Sequence, residues 1–331
     1  MTVKKRAKGI GLLSGGLDSI LAVKVLQEQD LELMGVTFVT PFFGAEPGLR
    51  AGQLAGIPMR ALDIGEEHLR MLRNPRYGYG RAMNPCIDCH ALMLRVAGRL
   101  MEAESADFLF TGEVVGQRPM SQRRDALRGV EILSGYPGRI LRPLSAKLLP
   151  PTLVEQAGLV DREKLLDLHG RGRKRQMELA ARYGIREIPQ AGGGCMLTKE
   201  GFSRKLRELL ASRPDADPVD VERIKWGRLF RLPHGALLVV GRSRSDNARL
   251  EALLDDATPA LKSANHPGPL GVLLAVDPEP KDLKVAAMIL AAYSDAPRKG
   301  RTAVIVRRGT VEREISAPKR DRECFRRFMI Q

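Results

Sequence analysis

The spacing of apolar positions gives the chain's first half a repeating form. A short hydrophobic run, GIGLL at 9–13, breaks on a glycine pair and passes into DSILAVKVLQEQ, where Ile20, Val23 and Leu26 recur at helical intervals. LMGVTFV (33–39) then reads as a strand, LRAGQLAGI (49–57) as a helix and MRALDI (59–64) as a strand. ALMLRVAGRLMEAE (91–104) reads as a long helix and ADFLFTGE (106–113) as a strand with its turn. Strands alternating with helices predict parallel strands joined by right-handed crossovers, hence an α/β layered fold. The alternation stops near RPLSAKLLPPTLVEQ (142–156), where a proline pair interrupts it, and helical segments are expected at DREKLLDLHG (161–170) and KRQMELAARYG (174–184).

A boundary is expected at 211–220, where ASRPDADPVDV is rich in proline and aspartate. Beyond it lie the runs ALLVVGR, GVLLAVDP and TAVIVRRGTVEREI and a helix, DLKVAAMILAAYSD. The Arg308-Gly309 step between two alternating runs predicts a hairpin turn. The expectation is a 1–210 α/β domain followed by a smaller α+β domain over 220–331.

Length and composition narrow the class. With 331 residues, 44% of them hydrophobic, the chain can build two cores. No run approaches the roughly 18 apolar residues of a membrane span. The basic, then apolar start MTVKKRAKGIGLLSGG resembles a secretion signal only superficially, because it runs directly into a patterned glycine loop; a cytoplasmic protein with no membrane partner is expected. Four cysteines do not make a disulfide framework, and in a reducing compartment paired cysteines more often bind metal or react. The net charge of +15 either solubilises the surface or meets a polyanion. Basic clusters at 118–128, 171–175, 204–207 and 298–327 spread over both halves, which favours a nucleic acid over a membrane.

Three stretches carry candidate chemistry. SGGLDS, Ser14 to Ser19, falls between a predicted strand and a predicted helix. There Gly15 and Gly16 let the backbone turn and approach a ligand, and successive N–H groups at a helix N-terminus make an anion nest. Asp18 and Ser19 fall in the first turn, where they either cap the helix or meet a nucleotide and its magnesium; a plain turn would use the same residue types. No G-x-x-x-x-G-K-[ST] and no G-x-G-x-x-G follows the strand. NPCIDCH (84–90) places Cys86 and Cys89 beside His90, and Cys195 lies in GGGCMLT.

SGGLDS resembles the pyrophosphate loop of the PP-loop ATPases, which adenylate a carbonyl and release pyrophosphate. That resemblance implies that Ser14, Gly15, Gly16, Asp18 and Ser19 hold the phosphates of ATP and Mg2+. It also puts Thr37 and Phe38, at the end of the second strand, against the nucleotide. TGEVVGQRPMSQ (111–122), with Arg142-Pro143-Leu144 further on, is similar to a stretch of the tRNA 4-thiouridine synthetases, implying that Gly112, Gly116, Gln117, Ser121 and Gln122 line the nucleotide and uridine pocket. NPCIDC resembles the N-P-D-x-x-C segment of the tRNA 2-thiouridylases, whose last cysteine, here Cys89, is catalytic; Cys86 replaces the aspartate of that pattern. Some thiolases of this class hold a [4Fe–4S] cluster with C-x-x-C and one distant cysteine, which implies Cys86, Cys89 and Cys195 as ligands.

Four readings of the cysteines stay open at this level. One is a zinc site of Cys86, Cys89, His90 and Cys195. The others are a metal-free persulfide and disulfide pair of Cys89 with Cys195, the cluster, and buried inert thiols. Cys324, in RDRECFRRF of the basic C-terminal helix, reads as incidental. WGRLFRLPHGALLVVGRSRSDNARLEAL (226–253) resembles the RNA-binding domain of the NFACT proteins, which makes Arg242, Arg244 and Asn247 candidate phosphate or ribose contacts. With five tyrosines and one tryptophan, an aromatic stacking platform fits poorly.

The function implied is ATP-dependent tRNA sulfur transfer, with Asp18, Cys89 and Cys195 as catalytic residues. Its partners are tRNA and a sulfur donor, hydrosulfide or a persulfide carrier, and a homodimer is compatible with the same features. The rivals are a PP-loop enzyme acting on a small molecule and a non-catalytic, nucleotide-sensing RNA-binding factor.

Overall fold

The structure, a computed structural model, describes residues 6–187, 195–275, 277–297 and 300–331. Two compact units divide the chain, one ending at Thr198 and one beginning at Lys199.

The first unit runs β1 (Ala7–Leu12), α1 (Leu17–Gln27), β2 (Leu31–Val39), α2 (Glu46–Ala55), β3 (Met59–Asp63), α3 (Gly65–Arg73), α4 (Cys86–Ala103), β4 (Phe108–Thr111), α5 (Arg124–Ser134), β5 (Ile140–Leu141), α6 (Leu153–Gln156) and α7 (Lys174–Arg182). Its five strands pair in parallel in the order β3-β2-β1-β4-β5. The order reverses between β1 and β4, and such a switch point opens a crevice outside the carboxyl ends of the two strands. Both faces of the sheet are covered. One core gathers Ile20, Leu21 and Val23 of α1 with Ala51 of α2 and the rings of Phe108 and Phe110. The other sets Ile10, Val36 and Phe38 against Leu94, Ala97 and Met101 of α4.

The register explains the glycines of β1. Gly9 pairs with Phe108 and Gly11 with Phe110. A Cβ at either glycine would lie 2.3–2.5 Å from the neighbouring ring, so the rings of β4 fill the space that β1 leaves.

Two expectations need correction. Residues 161–170 form no α-helix: a 3-10 turn spans Arg162–Lys164, and beyond it Leu166 N and Leu168 N donate to the carbonyls of Pro143 and Leu144. Leu165 and Leu168 are buried three residues apart, which imitates helical spacing, but the backbone finds its partners in another segment. Near the C-terminus, RDRECFRRF holds a 3-10 helix over Arg322–Phe328 in place of an α-helix.

The second unit contains α8 (Glu200–Ser212), α9 (Pro218–Lys225), β6 (Arg228–Arg231), β7 (Leu237–Val240), α10 (Arg244–Glu251), β8 (Ala260–Ser263), β9 (Gly271–Leu273), α11 (Pro280–Tyr293), β10 (Arg301–Arg308), β11 (Val311–Pro318) and β12 (Met329–Ile330). Its strands form an antiparallel sheet in the order β11-β10-β8-β9-β7-β6-β12. The apolar side of α11 (Ala286, Ile289, Leu290) packs with Phe230, Leu261 and Val304 of that sheet. The expected hairpin is present: Arg308 pairs with Val311 across Gly309 and Thr310. Helix α8 belongs to this unit, so its start precedes the proline-rich stretch: Lys205 Nζ bonds the Ile224 and Gly227 carbonyls.

Candidate functional site

The loop between β1 and α1 stands at the switch point. Ser14 is exposed, and Gly16 precedes α1 without any side chain capping the helix. Gly15 takes φ +90°, and a Cβ there would lie 2.4 Å from Cβ of Pro47 at the start of α2. Left-handed backbone and a tight neighbour together admit only glycine. Ser19 turns its hydroxyl back to the Gly16 carbonyl at 2.7 Å, which closes the first turn of α1. Gly112, just past β4, comes so near that a Cβ would sit 2.5 Å from the Asp18 carbonyl carbon and the Ser19 nitrogen. The ends of β1 and β4 are thereby locked side by side.

Asp18 and Gln117 meet in this crevice. Gln117 Nε2 donates to Asp18 Oδ2 at 2.9 Å, while Asp18 Oδ1 and Gln117 Oε1 are buried without a partner. Nε of Arg173, just before α7, is a third such atom. Burial pushes the Asp18 carboxyl up, against the downward pull of Gln117, Arg173 and Arg118. Two unpaired acceptors and an unpaired guanidinium N–H beside a glycine loop fit a ligand carrying both a cation and phosphate oxygens, as magnesium nucleotide does. Arg173 reaches this crevice because residues 169–170 bridge to Val115: Gly170 N donates to the Val115 carbonyl at 2.8 Å.

The remaining residues implied by resemblance occupy varied places. Thr37 lies under α2, where a Cβ on Gly48 would touch its Oγ1. The Phe38 side chain is buried in the core beneath α4, which leaves its backbone for any ligand contact. Ser121 and Gln122 are buried, and Gln122 closes its own loop: its carbonyl accepts from Gly116 N and its Oε1 from Arg118 N.

Cys86 and Cys89 both stand in the first turn of α4. Asp88 accepts from Arg76 N (2.6 Å) and Tyr77 N (3.0 Å), fixing the loop that precedes the helix. Met83 N donates to the Leu197 carbonyl at 3.2 Å, which holds the segment carrying Cys195 against the Cys86 loop. Burial, then the nearby sulfurs of Cys195 and Cys86, push the Cys89 thiol far up; burial raises the Cys195 thiol too, against a hydrogen bond from the Leu197 backbone. Three thiols on two tethered segments make a donor set that becomes favourable once a cation neutralises it. The chemistry of this set therefore fits a thiolate-bound metal or cluster. Among the described residues, no group of three or more His, Cys, Asp and Glu side chains is placed so as to hold a single metal ion. Cys324 is exposed.

His90 is otherwise engaged: its Nδ1 lies 2.8 Å from Glu113 Oε1. Glu113 also receives Arg142 Nε (3.0 Å) and Thr111 Oγ1 (3.1 Å), and Arg142 continues to Glu131. Burial raises the Glu113 carboxyl, but Arg142 and His90 outweigh it and bring the pKa down to about 2. Sequence reasoning missed His68, which is fully buried with Nε2 at 3.2 Å from Cys89 Sγ. Burial drops its pKa to about 4, so the ring is neutral. Nothing local in GEEHLRML marks it; the only signal is a lone histidine at an inward position of α3.

In the second unit, Arg242 is paired with Asp246 at 2.7 Å. Asn247 is used structurally, accepting from Leu270 N at 3.0 Å. Arg249 lies 4.1 Å over the ring of Trp226.

Comparison with known proteins agrees with this division. Residues 227–329 match the family model of the NFACT protein RNA binding domain. Among curated proteins, the chain is 29% identical over 138 residues to the tRNA-specific 2-thiouridylase MnmA of Geobacter metallireducens, a match covering 34% of this chain and 36% of that one. It is also 29% identical over 167 residues to a protein of Lysinibacillus sphaericus named "Probable tRNA sulfurtransferase", covering 48% of this chain and 40% of the relative. The matches thus span well under half the length of these relatives. Similar solved structures include a predicted subunit of tRNA methyltransferase from Methanocaldococcus jannaschii, with 13% identity, a TM-score of 0.37, and coverage of 63% of this chain and 89% of that one. Another is the C-terminal part of the fibronectin/fibrinogen-binding protein from Streptococcus suis, at 13% identity and TM-score 0.30, covering 74% and 94%. Among the described residues no helix is long and apolar enough to cross a membrane.

Proposed function

We propose that the chain is an ATP-dependent tRNA-uridine sulfurtransferase. The observation that carries this reading is a glycine loop with unpaired polar atoms of Asp18, Gln117 and Arg173, in the same α/β unit as Cys86 and Cys89 at the start of α4 and Cys195 on the segment that Met83 N ties to the Cys86 loop. The similarity to a thiouridylase and a sulfurtransferase supports it, as does the match to an RNA-binding domain.

In this reading the backbone N–H groups of residues 14–16 and the guanidiniums of Arg118 and Arg173 receive the phosphates, and Asp18 holds the magnesium. These groups stabilise the charge that builds while a uridine carbonyl oxygen attacks the α-phosphorus and pyrophosphate leaves. Hydrosulfide then attacks the activated ring carbon and AMP departs with the former carbonyl oxygen, a redox-neutral displacement; a persulfide carrier would need a dithiol reductant, itself oxidised to the disulfide, to release that sulfide. Cys86, Cys89 and Cys195 would hold a [4Fe–4S] cluster, which when bound would supply Lewis-acid iron for the sulfur donor. Basic residues of the second unit bind the tRNA backbone.

The test is anaerobic purification with iron, sulfide and zinc counted per chain, followed by incubation with tRNA, ATP and sulfide and mass spectrometry of nucleosides. Thiouridine formed with AMP and pyrophosphate, and lost in Cys89→Ala, is the expected result. Pyrophosphate release on a free metabolite without tRNA would favour a small-molecule substrate, and ATP and RNA binding without turnover would favour a sensing factor.

A further inference from the structure

Both sulfurs of the C-x-x-C pair have a nitrogen from outside that pair beside them. Asn84 Nδ2 lies 3.3 Å from Cys86 Sγ, and His68 Nε2 lies 3.2 Å from Cys89 Sγ. The Asn84 orientation is set by its other end, since Oδ1 accepts from Ala82 N at 3.3 Å; a flipped amide would oppose two donors.

For His68 the tautomer follows from burial. The ring has no exposed surface, Phe42 and Phe43 pack on it with centroids at 5.2 and 5.9 Å, and Nδ1 has no partner. If the thiol donated to Nε2, the ring hydrogen would sit on Nδ1 as a buried donor without an acceptor, the unfavourable arrangement. With the hydrogen on Nε2, the donor meets the sulfur and only a lone pair remains bare.

We propose that His68 and Asn84 are positioning residues that present N–H donors to the Cys89 and Cys86 sulfurs, which accept these hydrogen bonds and are thereby oriented and stabilised as negatively charged thiolate ligands. The ligand class is a thiolate-bound cation, an iron–sulfur cluster in the reading above, on which this inference rests for its second arm only. Hydrogen bonds to ligand sulfur draw off negative charge and raise a cluster's reduction potential.

The first arm uses the full-length, metal-free protein with 15N-labelled histidine. Long-range 15N–1H correlation, with the His68 signal identified by its loss in His68→Gln, is expected to show the hydrogen on Nε2 from pH 6 to 8. A hydrogen on Nδ1 would overturn the assignment. The second arm reconstitutes the wild type, His68→Phe and His68→Gln anaerobically and titrates the cluster potential. Phenylalanine keeps the ring packing without the donor and should shift the potential negative, whereas glutamine, which keeps an N–H near the Nε2 position, should restore it. Equal potentials in all three would sink the proposal. If the wild type takes up no iron, the cluster reading fails, and the tautomer still decides the role of His68.

Discussion

Asp18 and Gln117 lie 99 residues apart in sequence and 2.9 Å apart in space, and each keeps one buried oxygen unpaired. Their meeting is built by the reversal of strand order between β1 and β4, which places the two loops on one crevice.

Asp18→Asn separates ligand binding from stability. Burial raises the folded-state pKa of Asp18, so ionisation disfavours the fold as pH rises through the carboxylate range. Removing that charge should leave the melting temperature at pH 7 unchanged or higher, while the stabilisation conferred by magnesium ATP falls at least tenfold in apparent affinity. Thermal melts with and without nucleotide check both halves.

Gly112→Ala should do the opposite. Its Cβ meets backbone of α1, which cannot swing aside as a side chain would, so about 1–3 kcal/mol of stability and most nucleotide binding should go together. Gly201→Ala is the matching control. That glycine lies in α8 with open space around its Cβ, and alanine there should stabilise by up to about 1 kcal/mol in denaturant unfolding.

Acid should find Glu113 early. Its carboxyl is held at about 2 against an ordinary 4.5, so its stabilising contribution is complete above the ordinary value and is lost as pH falls from there toward 2. Glu113→Gln should flatten the acid limb of stability against pH. Arg142→Met, which leaves the carboxylate buried and unpaired by its guanidinium, should cost about 3–5 kcal/mol at neutral pH.

tRNA affinity should fall linearly with the logarithm of salt concentration. Arg244→Ala should reduce that slope by about one, as expected when a single phosphate contact is lost. Asn247→Ala should leave the slope alone and cost about 1–2 kcal/mol of stability, because its amide serves Leu270 and Gly268.

The parallel sheet was legible because each strand–helix step left a period in the chain, and the Gly309 hairpin because one turn residue names it. Residues 161–170 misled because Leu165 and Leu168 keep helical spacing while the backbone of Leu166 and Leu168 pairs with 143–147. SGGLDS and the cysteines could be found from local pattern. His68, Glu113 and Arg173 could not, since each acts beside a group that only the fold supplies: a thiol on α4, an arginine 29 residues on, and a carboxylate at the start of the chain's first crossover.

The first turn of α4 is gripped from several directions. Asp88 holds the preceding loop, Cys89 meets His68, and His90 meets Glu113. Successive residues of a helix point about 100° apart, so these three neighbours fix the helix's angular phase much as a key fixes a shaft. A rotation of one residue would break all three contacts at once. The direction in which Cys86 and Cys89 face is thus decided by these hydrogen bonds within the fold itself, so any partner of the two thiols would meet them already oriented, at little cost in ordering entropy.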